Sequence, residues 1–195
     1  MTELIRTFIA VELPENIRSA ILQPRNRLQA GLSGIRWVAP ENLHLTLHFL
    51  GDIGPEDVAR VSAALSAAVS GMPVFSVCAR GIGAFPSMSR PRVLWIGLGG
   101  DVKNLGEIYR RIGEHLEAMG LLKEKRDFTG HLTIGRMKEK IDPAQLVKFI
   151  KGVRDFETEP FPVDRVTLFR SEVKPHGPVY TALDDAFLMS TTLSR

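Results

Sequence analysis

His44-Leu45-Thr46-Leu47 and His131-Leu132-Thr133-Ile134 are two copies of one pattern, His-x-Thr-x with x apolar, set 87 residues apart (131 − 44). In an extended strand alternate side chains share a face, so each copy puts its histidine and threonine on one side and its two aliphatic residues on the other. Two imidazoles with ordinary pKa values near ~6.5 that face one site can act as acid and base together at neutral pH. A hydroxyl two residues along lies ~6.6 Å further down the same face, at ~3.3 Å per residue. Two imidazoles and two hydroxyls so spaced suit a tetrahedral, oxygen-rich anion such as a phosphodiester. One histidine takes a proton from the attacking oxygen and the other protonates the departing one. A single His-x-Thr reads equally well as a half-buried strand histidine, so the pair carries weight only if the elements around it repeat with the same offset.

Metal chelation is the rival chemistry. His48 shares the His44 face under strict alternation, but four strand residues separate the two by ~13 Å, too far for one ion. The motif strands hold no carboxylate to complete a ligand set. No metal and no cofactor are therefore expected, and His48 reads as a structural residue at the edge of the site. Arg136, five residues after His131, is the candidate fixed positive charge for a phosphate. Strict alternation points it away from His131 unless Gly135 introduces a bulge. Phe8, Trp37 and Phe49 could stack a nucleobase or belong to the core. His115 falls among the polar positions of a helix and His176 in a Pro/Gly turn, so both read as surface residues.

The elements that must position these residues follow from periodicity. Leu4 to Leu13 reads as a strand stopped by Pro14, and residues 15–32 as a helix with Ile17, Ala20, Ile21 and Leu28 inward, kinked or broken by Pro24. The motif strands are Leu43 to Leu50 and Phe128 to Ile134. Pro55 opens a helix to about Ser70, with Val58, Val61, Leu65 and Val69 inward, and strands are expected at 75–82 and 93–98 around a Gly/Pro/Ser/Arg loop. Asp101 is a good N-cap for a helix with its stripe at Leu105, Ile108, Tyr109, Ile112, Leu116 and Met119, closed by Gly120. Asp142-Pro143 starts a helix to about Val153. One strand is expected over 161–173 and a last short one over 179–183, with no clear pattern from Asp184 to Arg195.

Set side by side, the two halves agree. Phe8 matches Trp95 at the same offset of 87 (95 − 8), each motif strand is followed by a Pro-initiated helix, and Phe75 matches Phe161 at 86 (161 − 75). The unit is strand-helix-strand-helix-strand run twice, roughly over 4–83 and 91–183, and halves of this kind cover each other's apolar surfaces. A single bilobal domain over 1–195 is expected, with both histidines facing one cleft.

Composition sets the class. A chain of 195 residues with 44% hydrophobic content builds an ordinary globular core. Cys78 is the one cysteine, which excludes an internal disulfide and points to a reducing cytoplasm with Cys78 as a buried structural thiol. No apolar run approaches the ~20 residues that span a bilayer, and residues 1–6 lack the order of a secretory signal. Twenty-five basic residues against 22 acidic ones, with a sequence pI of about 9.2, permit a polyanionic partner without demanding one. Lys123, Lys125, Arg126, Arg136, Lys138 and Lys140 cluster around the second motif, with Arg90 and Arg92 near mid-chain.

With these residues in hand, the sequence resembles the RNA 2′,3′-cyclic phosphodiesterases, also called 2′-5′ RNA ligases, of the two-histidine phosphoesterase superfamily. The resemblance rests on residues 6–10 (Arg-Thr-Phe-Ile-Ala), the paired motifs, residues 90–95 (Arg-Pro-Arg-Val-Leu-Trp), the run 131–136, and residues 168–171 (Leu-Phe-Arg-Ser) ahead of Gly177 and Tyr180. It implies a bilobal α+β fold with antiparallel-rich sheets lining a central cleft and helices outside. It implies metal-independent hydrolysis of a terminal 2′,3′-cyclic phosphate to a 2′-phosphomonoester on RNA ends or cyclic nucleotides, in a monomer. By resemblance His44 is the proton donor to the 3′-oxygen, His131 the base that activates water, and Thr46 and Thr133 hold the phosphate. The residues alone do not say which histidine is acid and which is base. Gly130 departs from the family pattern, where proline is common. Joining or cleaving 2′-5′ linkages at the same site, or a non-catalytic RNA-binding module, are the alternatives.

Overall fold

The computed structural model describes residues 3–122 and 128–190. Lys123, Lys125 and Arg126 of the expected basic cluster therefore lie outside the described residues. Strand β1 (Ile5–Glu12) leads into helix α1 (Glu15–Gly31), which runs unbroken through Pro24. Pro24 cannot donate a hydrogen bond back to the preceding turn, yet it is buried on the same face as Ile17, Ile21 and Leu28, and that packing offsets the loss. A short β2 (Ile35–Trp37) and one 3-10 turn (Pro40–Asn42) precede the first motif strand, β3 (His44–Ile53). Then come α2 (Pro55–Val69), β4 (Phe75–Phe85), β5 (Val93–Gly100), α3 (Val102–Ala118), the second motif strand β6 (His131–Met137) and α4 (Pro143–Lys151). Asp101 caps α3 by accepting from the Asn104 N–H at 3.1 Å, and Asp142 caps α4 by accepting from the Ala144 N–H at 3.0 Å.

Several boundaries differ from the sequence reading: the second motif strand begins at His131 rather than Phe128 and runs on to Met137, the first continues past Leu50 to Ile53, and β4 continues past Ile82 to Phe85. The single strand expected over 161–173 is two, β7 (Phe161–Val163) and β8 (Arg165–Lys174), which separate at Asp164 because β7 pairs with β4 and β8 with β1. The last strand, β9 (Gly177–Phe187), extends past Leu183, because β8 offers it hydrogen-bonding partners as far as Arg165–Phe187.

The strands form one antiparallel sheet in the order β7-β4-β5-β6-β3-β1-β8-β9, with β2 beside β6, curled into a half-barrel. Read outward from its middle, the order is β3-β1-β8 on one side and β6-β5-β4 on the other. Each half therefore takes its third strand from the opposite half of the sequence. The convex face carries the main core: Leu45, Leu47, Leu132 and Ile134 of the motif strands are buried there with Leu105, Ile108 and Ile112 of α3. The concave face has a smaller aromatic cluster of Phe8, Ala10 and Phe169, with Tyr180 against it.

Both motif strands change phase at the last residue of their motif. In the pairing of β1 with β3, Ile9 partners His48 and Ala10 partners Thr46, so Leu47 is an extra residue. In the pairing of β5 with β6, Leu94 partners Gly135 and Trp95 partners Thr133, so Ile134 is extra at the matching position. Beyond each bulge the faces exchange. His48 consequently does not share the His44 face, as strict alternation required. It is buried on the helix side, its Nε2–H donating to the Tyr109 carbonyl at 2.9 Å and its ring stacked on Tyr109 at 4.1 Å.

Burial pushes the His48 proton affinity below that of a free imidazole, with the bond to the Tyr109 carbonyl opposing. The unfolded chain then binds more protons than the folded one below pH ~6.5, so stability is lost as pH falls through that range. His48→Gln removes this contribution. Its urea midpoint is expected to drop less between pH 7 and pH 5 than that of the wild type, and an equal drop in both would refute the assignment.

Candidate active site

The two halves of the sheet meet where β3 pairs with β6, through the partners Leu45 and Leu132. One step along that antiparallel register in either direction sets His44 opposite Thr133 and Thr46 opposite His131. The two motifs therefore cross-match on the concave face, each histidine beside the other motif's threonine, while their aliphatic residues are buried behind.

Each imidazole is fixed by the same bond. Nδ1 of His44 lies 2.8 Å from the Asn42 carbonyl oxygen and Nδ1 of His131 lies 2.7 Å from that of Thr129, again 87 residues apart (129 − 42). A carbonyl only accepts, so each ring carries a proton on Nδ1 and donates it. Nε2 is left as the nitrogen that can take up or give a proton.

Aromatic side chains hold the rings in place. His44 packs on Phe8 at 4.8 Å between centroids and meets the edge of Tyr180 at 5.3 Å and 89°. His131 meets Phe85 at 4.9 Å and 82°. Phe8 is 3% exposed and its other neighbours are Phe169, stacked at 5.2 Å, and Tyr180. No face of Phe8 is open to a nucleobase, so it is a support for His44 rather than a stacking surface. Trp37, the other candidate, packs against the convex-face core opposite Gly135. Phe49, in contrast, is 68% exposed on the cleft side, beyond the Leu47 bulge, with its ring 6.1 Å from that of Phe8.

Arg136 occupies the position in β6 that matches Phe49 in β3 (136 − 49 = 87), and the Ile134 bulge turns it toward the same cleft. Its charge acts on His44 and on Tyr180. Burial lowers the proton affinity of His44 and the Arg136 guanidinium lowers it further, against the opposing bond to Asn42. Burial raises the Tyr180 hydroxyl, with Arg136 and Arg6 pulling it down. Sequence reasoning did not single out Asn42, Thr129, Phe85, Arg6 or Tyr180 for the site. The 87-residue offset between Asn42 and Thr129 was the signal available for that pair.

The remaining candidates lie elsewhere. Cys78 is buried, with its S–H donating to Glu157 at 3.4 Å and its proton held more tightly than in a free thiol, first through burial. His115 and His176 are exposed. Gly130 sits close enough to Leu98 that a Cβ there would lie 2.9 Å from its Cδ1. Among the described residues no three His, Cys, Asp or Glu side chains group as a metal site, and no helix is long and apolar enough to cross a membrane.

A sequence profile described as LigT like phosphoesterase matches the chain twice, at residues 11–95 and 98–180. The chain belongs to the LigT-like phosphoesterase family. It is 39% identical over 185 residues to an RNA 2′,3′-cyclic phosphodiesterase of Archaeoglobus fulgidus, covering 92% of this chain and 98% of that protein. It is 32% identical over 180 residues to one of Methanothermobacter thermautotrophicus, covering 92% and 97%. Among solved structures, a Thermus thermophilus protein superposes with a TM-score of 0.78 at 28% identity over 95% of this chain and 99% of that one. Escherichia coli LigT complexed with 3′-AMP superposes with a TM-score of 0.76 at 26% identity over 96% and 99%.

The two Nδ1 bonds have a spectroscopic consequence. At a pH where both rings are neutral, nitrogen-15 spectra are expected to show His44 and His131 as Nδ1–H tautomers, the minority form of a free imidazole. Nε2–H signals for either residue would contradict the geometry.

Proposed function

We propose that this LigT-like phosphoesterase hydrolyses the terminal 2′,3′-cyclic phosphodiester of RNA to a 2′-phosphomonoester, with His44 as proton donor and His131 as proton acceptor. The observation that carries the reading is the crossed pair of motifs: two imidazoles on one face of one strand junction, both with Nδ1 tied down and Nε2 free to exchange a proton. The similarity to proteins named RNA 2′,3′-cyclic phosphodiesterase supplies the substrate class.

Water attacks phosphorus and passes a proton to Nε2 of His131. The bond from phosphorus to the ribose 3′-oxygen breaks, and that oxygen takes the proton from Nε2 of His44. Thr46 and Thr133 donate their hydroxyls to the non-bridging oxygens, and Arg136 holds the negative charge. Phe49 offers its exposed ring to the terminal base. No step calls on a metal, so turnover is expected to persist in EDTA.

The lowered proton affinity of His44 bears on its role. In the free enzyme a donor must hold its proton, so kcat/KM falls on the alkaline side as His44 deprotonates, and Arg136 brings that fall to lower pH. A bound phosphodiester anion opposes Arg136 and restores the proton.

The test is turnover of a 2′,3′-cyclic nucleotide in EDTA, with the phosphate position of the product identified. His44→Ala and His131→Ala are each expected to lose at least ~100-fold in kcat. Full turnover in His44→Ala would leave a non-catalytic RNA-binding module as the better reading. Arg136→Gln is expected to lose roughly tenfold or more in kcat/KM through its charged hydrogen bonds, and to move the alkaline limb of the pH profile upward. Movement of the acid limb instead would exchange the roles of the two histidines.

A further inference from the structure

We propose that Trp95 is the stacking surface for a second nucleobase, that of a nucleoside joined through its 5′-oxygen to the phosphate on the His131 side. The inference rests on the reading above, in which His44 serves the ribose that carries the 2′- and 3′-oxygens.

The first observation is an asymmetry of register. Sequence offset pairs Phe8 with Trp95, but the sheet does not. Phe8 partners Phe49 and Ala10 partners Thr46, whereas Trp95 partners Thr133. Glu12 partners His44, whereas Gly97 partners His131. The first strand of one half is thus displaced by two residues relative to the other. Beside the Thr46 position stands a methyl group; beside Thr133 stands an indole.

The second observation is how that indole lies. Gly83 is its cross-strand partner, and a Cβ at Gly83 would fall 2.3, 2.5 and 2.8 Å from Cζ2, Cη2 and Cε2 of Trp95. Near-equal distances to three ring atoms mean that the ring lies face-on over the glycine. A Cβ at Gly97, next to His131, would come within 3.3 Å of Cζ3. Glycine at both places lets the ring lie flat on the sheet, half-buried, with the Phe85 ring tilted beside it at 5.2 Å and 34°. The matching ground in the other half is filled by Phe8, Phe169 and Tyr180.

Third, Nε1 of Trp95 is buried with no hydrogen-bond partner among the described residues. An unpaired buried N–H is costly, and a phenylalanine would fill much of the space without that cost. What the indole adds is flat area.

In cyclic phosphate hydrolysis the group on the His131 side is water, which needs no such surface. In a 2′-5′ diester it is a nucleoside O5′. Cleavage there runs with the proton roles reversed. The 3′-hydroxyl oxygen attacks phosphorus and gives its proton to His44, the bond to O5′ breaks, and O5′ takes a proton from His131, leaving a cyclic phosphate and a 5′-hydroxyl nucleoside. The base of that nucleoside is the one assigned to Trp95.

Trp95→Leu and Trp95→Phe test the assignment on a 2′,3′-cyclic mononucleotide and a 2′-5′-linked dinucleotide. Base–aromatic stacking leads us to expect the dinucleotide KM to rise at least roughly fivefold more than the mononucleotide KM in Trp95→Leu, with Trp95→Phe between. Equal losses on both substrates would mean that Trp95 acts only through Phe85 on His131, and overturn the proposal; so would no loss on either. A second readout needs no turnover. The chain has two tryptophans, so Trp37→Phe combined with His131→Ala leaves Trp95 as the sole indole fluorophore. Its emission is expected to be quenched saturably by the dinucleotide and far less by the cyclic mononucleotide. Equal or absent quenching overturns the subsite, whereas a wild type unable to hydrolyse the cyclic substrate overturns the catalytic reading instead.

Discussion

The pairing of Leu45 with Leu132 is the constraint on which the rest of this protein depends. These two leucines are fully buried behind the sheet, and their register decides which polar residues oppose each other in front. A slip of one residue would turn the histidines into the core and the leucines into the cleft, exposing apolar surface and burying unpaired imidazoles. Hydrophobic burial on the convex face thus fixes polar geometry on the concave one. The exchange of third strands reinforces it: β4 and β8 each pack beside the opposite half, so neither half closes its sheet without the other.

The two bulges do the second share of the positioning. Leu47 and Ile134 each break alternation one residue past the threonine, and each brings a side chain to the cleft that strict alternation would have sent behind it: Phe49 in one strand and Arg136 in the other. The same shift carries His48 behind the sheet. At the place in β6 that matches His48 stands Gly135, where a Cβ would lie 2.8 Å from Ile35 Cγ2. One half fills that spot with an imidazole against α3, the other with the neighbouring strand β2.

How far the site could be read beforehand follows from which of these features are local. The motif pair, its polar and apolar faces, the capped helices and the repeat are written in consecutive residues or in a constant offset. Arg136 was readable only as a conditional, because alternation and a bulge at Gly135 pointed opposite ways. His48 was misplaced for the same reason. A bulge is a property of two strands, and nothing in residues 43–50 alone reveals that Ile9 and Ala10 oppose His48 and Thr46. Register displacement is likewise invisible along the chain, which is why Phe8 and Trp95 match in sequence yet differ in the sheet. Phe8, offered as a stacking surface, is closed off by Phe169, a contact across 161 residues (169 − 8).

A near-symmetric pair of histidines has no intrinsic acid and base, so the difference must come from surroundings. His44 is enclosed by Phe8 and Tyr180 and lies within the field of Arg136, and both influences disfavour its proton. A donor that gives up its proton easily is a stronger acid once loaded, and a phosphodiester anion supplies the countercharge that loads it. On the proposed assignment, the enclosure that weakens His44 as a resting cation strengthens it as an acid toward a departing alkoxide, at the moment when the substrate is bound. The repeat presents two matching imidazoles; Phe8, Tyr180 and Arg136 set His44 apart.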